Sequence, residues 1–527
     1  MSLPIKVLDR LHGTARVPGK SSISMIGIMT ANRPALLERA LTSYIKNNQG
    51  DRNDVEYIVY DDSKESAASQ ASFDVAGKLR RQFDLPIRFA GIHERARYAQ
   101  QLGECANVAP EILKYALFAA PGYTLGQNRN AMLLDSVGLM VLCADDDTIG
   151  TPVNPLRYTS GELQFCGGAD PAEFWCFRNS SEARTRERLD EERGLLQAHE
   201  RLLGRSASEM TLDNTLGRSC AGPQSEDLVA RIRNRRSAVR ITLNGLLGDC
   251  AWGSPFGLWH EPMGYLAFSG DSLERLTASE DFYRQAIQSR QILRATSGPV
   301  LGDCSFSMLT FCGLDNRELL PPNPPTHRGQ DLIFGQILWK CFDDSLFGHV
   351  PLALVHDPIP SRKFWPGEIT RSAAGVDLCR VMLEAIKLCP FVGCPNTPEG
   401  RLKRLGQHLQ QLAGLSGRAL GEQLMECLRV SNRRFARSLA DRSAPYLKRA
   451  PYYANDVKGF FDKLKKAEEG AHYWIPLDLC GVDGFVAAEP RLQRTLTQFG
   501  TLIEHWPAIV DGARLLRDRG IRVSVPV

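Results

Sequence analysis

The stretch that decides the fold is "LMVLCADDDTIG", residues 139–150. Its first six residues are apolar, which predicts a strand buried on both faces, as in the interior of a parallel sheet. The run stops at three consecutive aspartates, Asp145, Asp146 and Asp147. Because adjacent carboxylates repel one another, we expect the strand to end there. Three carboxylates at the end of a buried strand require a counter-charge.

The segments before this strand alternate between strand and helix patterns. "SSISMIGIMTANRP" (21–34) predicts a strand and a polar loop, and 34–48 predicts a helix with an apolar stripe and Pro34 in its first turn. "VEYIVYDDSKES" (55–66) and "PIRFAGI" (86–92) predict two more strands. This order predicts an α/β fold with a mostly parallel, Rossmann-like central sheet flanked by helices.

Polar side chains collect where the predicted strands end. Thr30 and Asn32 follow the first strand, Asp62 follows the second, and the three aspartates follow the fourth. In open parallel sheets, ligands bind beyond the carboxyl ends of the strands. We therefore expect one polar rim, where Asp145 and Asp147 bind Mg²⁺ or Mn²⁺ through oxygen ligands. A solvated surface turn is the alternative interpretation of the aspartates.

Composition and charge restrict the class of protein. With 64 basic and 60 acidic residues, the net charge of +4 argues against a dedicated nucleic-acid binder. The basic run at 231–240 is interpreted as a solvated helix face, with a patch for an anionic ligand as the alternative. We find no apolar run of the roughly 20 residues that span a bilayer. The 14 scattered cysteines lack a zinc-site spacing, so we expect reduced thiols in a soluble, cytoplasmic protein.

Five motifs, taken together, resemble those of GT-A fold glycosyltransferases, closest to family 2 of the nucleotide-diphospho-sugar transferases. "IGIMTANRPALLERALTSY" (26–44) resembles the opening "TxNRPxxLxxALxS", and "VEYIVYDDSKE" resembles the second strand. "GQNRNAMLL" (126–134) resembles "GxxxARNxG", and "ADDDT" resembles the DxD motif. "RGQDLIFG" (328–335) resembles the later "xED" element. The resemblance covers about the first 360 residues and not the helical C-terminus.

The resemblance implies roles for the matching residues. The implied nucleotide-sugar-binding residues are Thr30, Asn32, Arg33, Asp62, Arg129, Asn130, Asp145 and Asp146, with Thr30 and Asp62 on the base and Asp145 on the ribose or the metal. Asp146, in the middle of the motif, is expected to point away. Asp147, with Asp145, is the implied ligand of Mn²⁺ or Mg²⁺ on the diphosphate, and Asp331 is the implied base that deprotonates the acceptor.

Two positions depart from the family pattern, and one histidine is a further metal-ligand candidate. Gln330 replaces the acidic residue before Asp331, so the pKa of Asp331 must be set by burial or other groups. "NRN" replaces "ARN" but keeps Arg and Asn. His356 follows an apolar run and either completes the metal site or is an ordinary strand-end histidine.

The acceptor side is less defined. The candidate acceptor-binding residues are Trp252, Trp259, His260, His327 and Arg328, although the tryptophans also suit a core and His327 a structural role. A peptide or protein, a metabolite and a saccharide all stay open as acceptors. The C-terminal helices either shape an acceptor groove or form a homodimer.

The sequence patterns and the resemblance together divide the chain into five parts, and the resemblance implies an activity. They are an N-terminal tail (1–20), a nucleotide-sugar-binding half (21–150), a helical insertion (151–240), an acceptor-binding and catalytic half (241–365) and a helical C-terminal region (366–527). The implied activity is metal-dependent transfer of a sugar, from a UDP-sugar by preference, with inversion and Asp331 as base. A retaining enzyme with a DxD and late-histidine metal site, and an inactive binding or scaffold protein, are the alternatives. A nucleotidyltransferase is disfavoured because "MTANRPA" lacks a glycine-rich loop.

Overall fold

Four apolar runs near the start of the chain form the parallel half of one large sheet. They are β1 (Ile23–Thr30), β2 (Glu56–Asp61), β3 (Ile87–Ala90) and β4 (Leu139–Asp145). β1 lies between β2 and β4, and β3 extends the sheet beyond β2, all in parallel. Nearly every residue of β1 is buried, as the unbroken apolar pattern predicts. The four predicted strands are confirmed.

The structure is a computed structural model of the 527-residue chain. It describes residues 22–49, 54–118, 122, 124–158, 162–168, 170–186, 194–212, 216–220, 225–234, 236–250, 264–303, 307–363 and 367–527. Five helices accompany the parallel half: α1 (Pro34–Asn48), α2 (Ser66–Phe83), α3 (Ile92–Ala106), α4 (Pro110–Leu117) and α5 (Leu125–Asp135). The predicted stripe of α1 is buried at Leu37, Leu41 and Tyr44. Together they confirm an α/β fold.

The second half of the sheet mixes parallel and antiparallel pairs. Its strands are β5 (Thr148–Val153), β6 (Leu163–Cys166), β7 (Glu173–Cys176), β8 (Leu216–Cys220), β9 (Ala238–Asp249), β10 (Gln291–Ala295), β11 (Val300–Gly302), β12 (Phe311–Asn316) and β13 (Ser345–His356). β12 joins the halves because it pairs antiparallel with both β4 and β9. β13 then pairs parallel with β9 and antiparallel with β5. β13 therefore brings its last residue, His356, beside the start of β5.

Residues 151–240 were predicted to form a helical insertion, but the structure also contains strands in this segment. They supply β6, β7 and β8 and the start of β9, besides the short helices α6 (Ser180–Arg184), α7 (Leu195–Glu200), α8 (Ala207–Leu212) and α9 (Glu226–Arg233). β6 and β7 have only four residues each, too few to show a clear alternation. Strands this short therefore leave no strand pattern in the sequence of residues 151–240.

The helices that follow are α10 (Gly270–Leu276), α11 (Glu280–Ser289), α12 (Gln330–Cys341), α13 (Leu378–Leu388), α14 (Pro398–Ala413), α15 (Gly417–Ser443), α16 (Pro451–Glu468) and α17 (Gly484–Asp518). The predicted helical character of the C-terminal region is thus observed. α17 packs along α14 and α3, and Trp506 donates a hydrogen bond to the Leu320 carbonyl oxygen at 2.7 Å. The last strand, β14 (Val525–Pro526), pairs with β3 and extends the sheet of the first half.

Two further predictions concern the chemistry of the whole chain. Twelve cysteines of the described ranges are free, and eight of these twelve are buried. No helix in the described ranges is long and apolar enough to cross a membrane.

Candidate functional site

The parallel register brings the ends of three strands together at one edge of the sheet. Thr30 at the end of β1 is level with Asp61 at the end of β2, and Met29 is level with Asp145 at the end of β4. The turn Asp146–Asp147 lies just beyond this edge. The predicted polar rim is therefore formed by neighbouring strands.

Asp146 is the most deeply buried of the three aspartates. Its carboxylate accepts a 2.6 Å hydrogen bond from the Thr30 hydroxyl, and its backbone N–H donates to the Met29 carbonyl oxygen at 3.0 Å. Burial raises the pKa of Asp146 to about 7, although Arg33 acts in the opposite direction. Thr30 and Asp146 therefore fasten the turn to β1.

Arg33 is the residue just before α1, and its guanidinium group pairs with two carboxylates of the acidic turn. It contacts Asp146 at 2.6 Å and Asp147 at 3.0 Å. Burial lowers the pKa of Arg33, but the charges of Asp146 and Asp147 outweigh burial and raise it. Its side chain is 39% exposed, so a bound anion could reach the guanidinium beside the aspartates.

His356 meets Asp147 with its ring orientation fixed. The Nδ1 atom contacts the Asp249 carbonyl oxygen, which can only accept, so Nδ1 carries a proton. The Nε2 atom lies 3.3 Å from Asp147 Oδ1. If the ring were neutral, Nε2 would carry no proton, and two hydrogen-bond acceptors, Nε2 and Asp147 Oδ1, would face each other. A positive charge is therefore needed there, either a proton on Nε2 or a cation bound by both atoms.

The pKa shifts of the pair agree with a positive charge. Burial alone would raise the pKa of Asp147, but the hydrogen bond and charge of His356, together with Arg33, lower it below its usual range. Burial alone would lower the pKa of His356, and Asp147 raises it above the ordinary value. Asp147 is therefore ionised at neutral pH.

Asp145 faces a different set of charges. Arg129, buried in α5, donates to its carboxylate at 3.2 Å. Burial raises the pKa of Asp145 to about 6; Arg129 opposes this shift, and the charges of Asp147 and Asp331 add to it. The carboxylate of Asp331 is thus close enough to Asp145 to interact with it electrostatically.

Asp331 is half-buried in the first turn of α12, where a tight backbone turn positions it. Gly329 precedes the helix with a φ of 83°, and a Cβ there would lie 2.3 Å from Cys379 Sγ. Gln330 is buried, and its Oε1 has no hydrogen-bond partner in the described part of the chain. The position that is acidic in the resembled family therefore holds a buried neutral amide.

Asp62 lies at the end of β2 with both carboxylate oxygens engaged. Arg95, fully buried in α3, donates to Oδ1 at 2.8 Å, and the Thr124 hydroxyl donates to Oδ2. Lys64 is 3.3 Å from Oδ1. A nucleotide base at Asp62 would have to share the carboxylate with these groups.

The amides predicted near the nucleotide have different surroundings. Asn130 is buried and exchanges hydrogen bonds with the backbone of Asn323, so it fixes the segment before α12. Asn32 is exposed with a φ of 57°, and its N–H donates to Ser63 Oγ at 2.8 Å. Asn128, which the sequence did not single out, donates to the carbonyl oxygens of Thr30 and Tyr60 and ties β1 to β2.

The acceptor-side candidates are only partly placed. His327 is half-buried with a φ of 71°, and burial lowers its pKa against the opposing charge of Asp478. Arg328 is exposed on the same loop, three residues before Asp331. Trp252, Trp259 and His260 lie outside the described residues.

The described residues supply part of what a divalent cation needs. No group of three His, Cys, Asp or Glu side chains with metal-binding geometry occurs among the residues that the structure describes. Asp147 Oδ1 and His356 Nε2 do form a pair of suitable donor atoms that requires a positive charge. A cation held by this pair would need its other ligands from a bound molecule.

No family model, no curated protein and no solved structure matches this chain.

Proposed function

We propose that the protein is a metal-dependent glycosyltransferase that moves a sugar from a nucleotide-diphosphate sugar, by preference a UDP-sugar, to a hydroxyl acceptor. The observation that carries the proposal is the electrostatic influence of the Asp331 carboxylate on the acidic turn. Asp145 and Asp147 end a parallel strand, and Asp331 approaches from α12 closely enough to influence the pKa of Asp145. Inverting glycosyl transfer requires such a division, with one group for the leaving diphosphate and another for the acceptor.

The acidic turn is the proposed site of the donor. Asp147 and His356 would hold Mn²⁺ or Mg²⁺, with diphosphate oxygens as the remaining ligands. When bound, the cation acts as a Lewis acid on the diphosphate. The half-exposed guanidinium of Arg33 lies beside the same turn and is suited to a phosphate oxygen. Arg129 and Thr30 hold Asp145 and Asp146 in place.

Asp331 is the proposed general base. Its carboxylate would take the proton of the acceptor hydroxyl while the oxygen bonds to the anomeric carbon and the bond to the diphosphate breaks. A base on the side opposite the leaving group gives inversion. The retaining mechanism requires no base at Asp331. Substitution of Asp331 therefore distinguishes the inverting mechanism from the retaining one.

One observation favours the alternative of a binding protein without activity. Asp147 and Asp62, both assigned to the donor, already pair with Arg33, His356, Arg95 and Thr124 in the protein itself. These partners provide the charges and hydrogen bonds that the two carboxylates need, even when no ligand is bound.

The deciding experiment is a thermal-shift panel of UDP-, GDP-, TDP- and CMP-sugars with and without Mn²⁺. A ligand at a hundredfold excess over its Kd stabilises the fold by about 2.7 kcal/mol. We expect one donor to stabilise the protein in the presence of Mn²⁺ and to be hydrolysed slowly without acceptor. The variant Asp511→Asn, which changes an exposed carboxylate outside the site, serves as the control. Stabilisation without hydrolysis or transfer supports the binding protein, and no response to any donor contradicts both.

A further inference from the structure

A cavity of about 240 Å³ lies away from the acidic turn, between α7, β6 and the middle of β13. Its apolar floor includes Leu163, Leu202, Val350 and Leu352, none of which is more than 4% exposed. The volume is just below the roughly 300–1,000 Å³ of sites for drug-sized ligands, so a smaller molecule suits it. Close packing leaves few such spaces in protein interiors.

An irregularity in β13 creates the cavity wall. The register between β13 and β9 shifts between His349 and Ala353, so residues 350–352 have no regular partner in β9. These three residues, including Pro351, all line the cavity. Bulges of this kind redirect side chains and are frequent beside functional sites.

Two basic residues line the cavity. They are Arg201 and Arg205, just after α7, and no Asp or Glu is among the described residues that line it. Arg205 donates to the Arg201 carbonyl oxygen at 3.1 Å, which places the two residues side by side. Two arginines in the lining of an apolar space favour a ligand that has an anionic end and an apolar end.

We propose that this cavity binds a small organic anion, with a carboxylate or phosphate at Arg201 and Arg205 and a short apolar body on Leu202 and Leu352. The site is separate from the acidic turn, because Leu352 and His356 are four residues apart on β13, about 13 Å along a strand. The ligand needs no metal and no sugar, and its binding does not depend on the proposed glycosyltransferase activity.

The test uses hexanoate and phenyl phosphate as probes, with hexanol and phenol as uncharged matches. We expect at least one of the two anions to raise the Tm of the full chain. The rise should saturate with anion concentration and should not need Mn²⁺. Hexanoate binding assigns the site to carboxylates and phenyl phosphate binding to phosphate esters. Calorimetry on the double variant Arg201→Gln, Arg205→Gln should show affinity lower by about tenfold or more, since hydrogen bonds to charged groups are the stronger ones.

Two other variants make the result specific. Ala198→Leu adds volume at the lining and should abolish binding, whereas Arg418→Gln, on a side chain that is 89% exposed elsewhere, should leave it unchanged. The proposal is overturned if neither anion binds at millimolar concentration, if hexanol or phenol binds as well as its anion, or if the arginine variants bind normally. A nucleotide-sugar response that persists in all these variants shows that the two sites are independent.

Discussion

His356 Nε2 lies 3.3 Å from Asp147 Oδ1, while the opposite ring nitrogen of His356 is bound to the Asp249 carbonyl oxygen. Because the second contact fixes the proton on Nδ1, the first contact needs a positive charge between two acceptor atoms. A proton and a divalent cation both satisfy this requirement. The two possibilities predict different effects of removing His356 on the concentration of Mn²⁺ that the protein requires.

His356→Ala should therefore raise the Mn²⁺ concentration needed for half-maximal stabilisation by the donor. We expect an increase of about tenfold or more, since even outer-shell partners of a metal change its affinity about 10- to 100-fold. The measurement is a Mn²⁺ titration by thermal shift at saturating nucleotide sugar. His93→Ala, at an exposed histidine, is the control. An unchanged Mn²⁺ requirement would identify His356 as an imidazolium partner of Asp147.

Asp331→Asn should separate donor binding from chemistry. The substitution keeps the shape of the side chain and removes the base, so donor affinity should stay within about twofold while kcat falls about 10²- to 10⁴-fold, the usual contribution of general base catalysis. Single-turnover transfer to the acceptor and calorimetry with the donor measure the two effects. A loss of donor affinity equal to the loss of kcat would remove Asp331 from the role of base, and unchanged kcat would favour retention.

The edge of the sheet was predictable because its signals are local. Unbroken apolar runs fix β1, β2 and β4, and a polar residue directly after a strand must lie at its end. The positions of Thr30, Asp145 and His356 at strand ends follow from this pattern. The short strands β6 and β7 escaped prediction because four residues cannot establish a period.

The partners of these residues were not predictable. Arg95 meets Asp62 from a helix 33 residues away, and Asp249 meets His356 from a strand 107 residues away. Periodicity tells which face of a helix is buried, but not that its buried arginine pairs with a particular strand end. Gln330 was identified as a departure from the family, yet its buried, unpartnered amide oxygen is visible only in the structure.

Gly329→Ala should destabilise the fold more than the same change at another glycine with similar backbone geometry. At Gly329 the φ of 83° and the 2.3 Å approach to Cys379 Sγ act together, whereas Gly393 has a φ of 74° and no atom of the described residues lies within 4 Å of a new Cβ. We expect Gly393→Ala to cost about 1–2 kcal/mol and Gly329→Ala about 1–3 kcal/mol more. Urea unfolding measures both. Equal losses would mean that Cys379 moves aside without cost.

His349 gives the fold a pH dependence that can be isolated. It lies in β13, 1% exposed, and neither ring nitrogen has a hydrogen-bond partner among the described residues. Burial lowers its pKa to about 4; the nearby charge of Arg294 acts in the same direction, and Asp170 opposes it. Below pH 6.5 the unfolded chain therefore binds a proton that the folded chain does not, and stability is lost as the pH falls towards 4.

His349→Leu should remove this loss. At about 1.4 kcal/mol per pKa unit, the wild type should lose about 2 kcal/mol between pH 7 and pH 5 through this residue, and the variant should not. His199, whose pKa burial also lowers to about 4, keeps a second contribution in both proteins, so the difference between their slopes isolates His349. At pH 7.5 the variant should be at least as stable as the wild type, because an unpartnered polar ring is replaced by an apolar side chain. Urea unfolding at pH 5, 6, 7 and 7.5 measures both slopes, and parallel curves would show that the His349 ring is already solvated or protonated in the native protein.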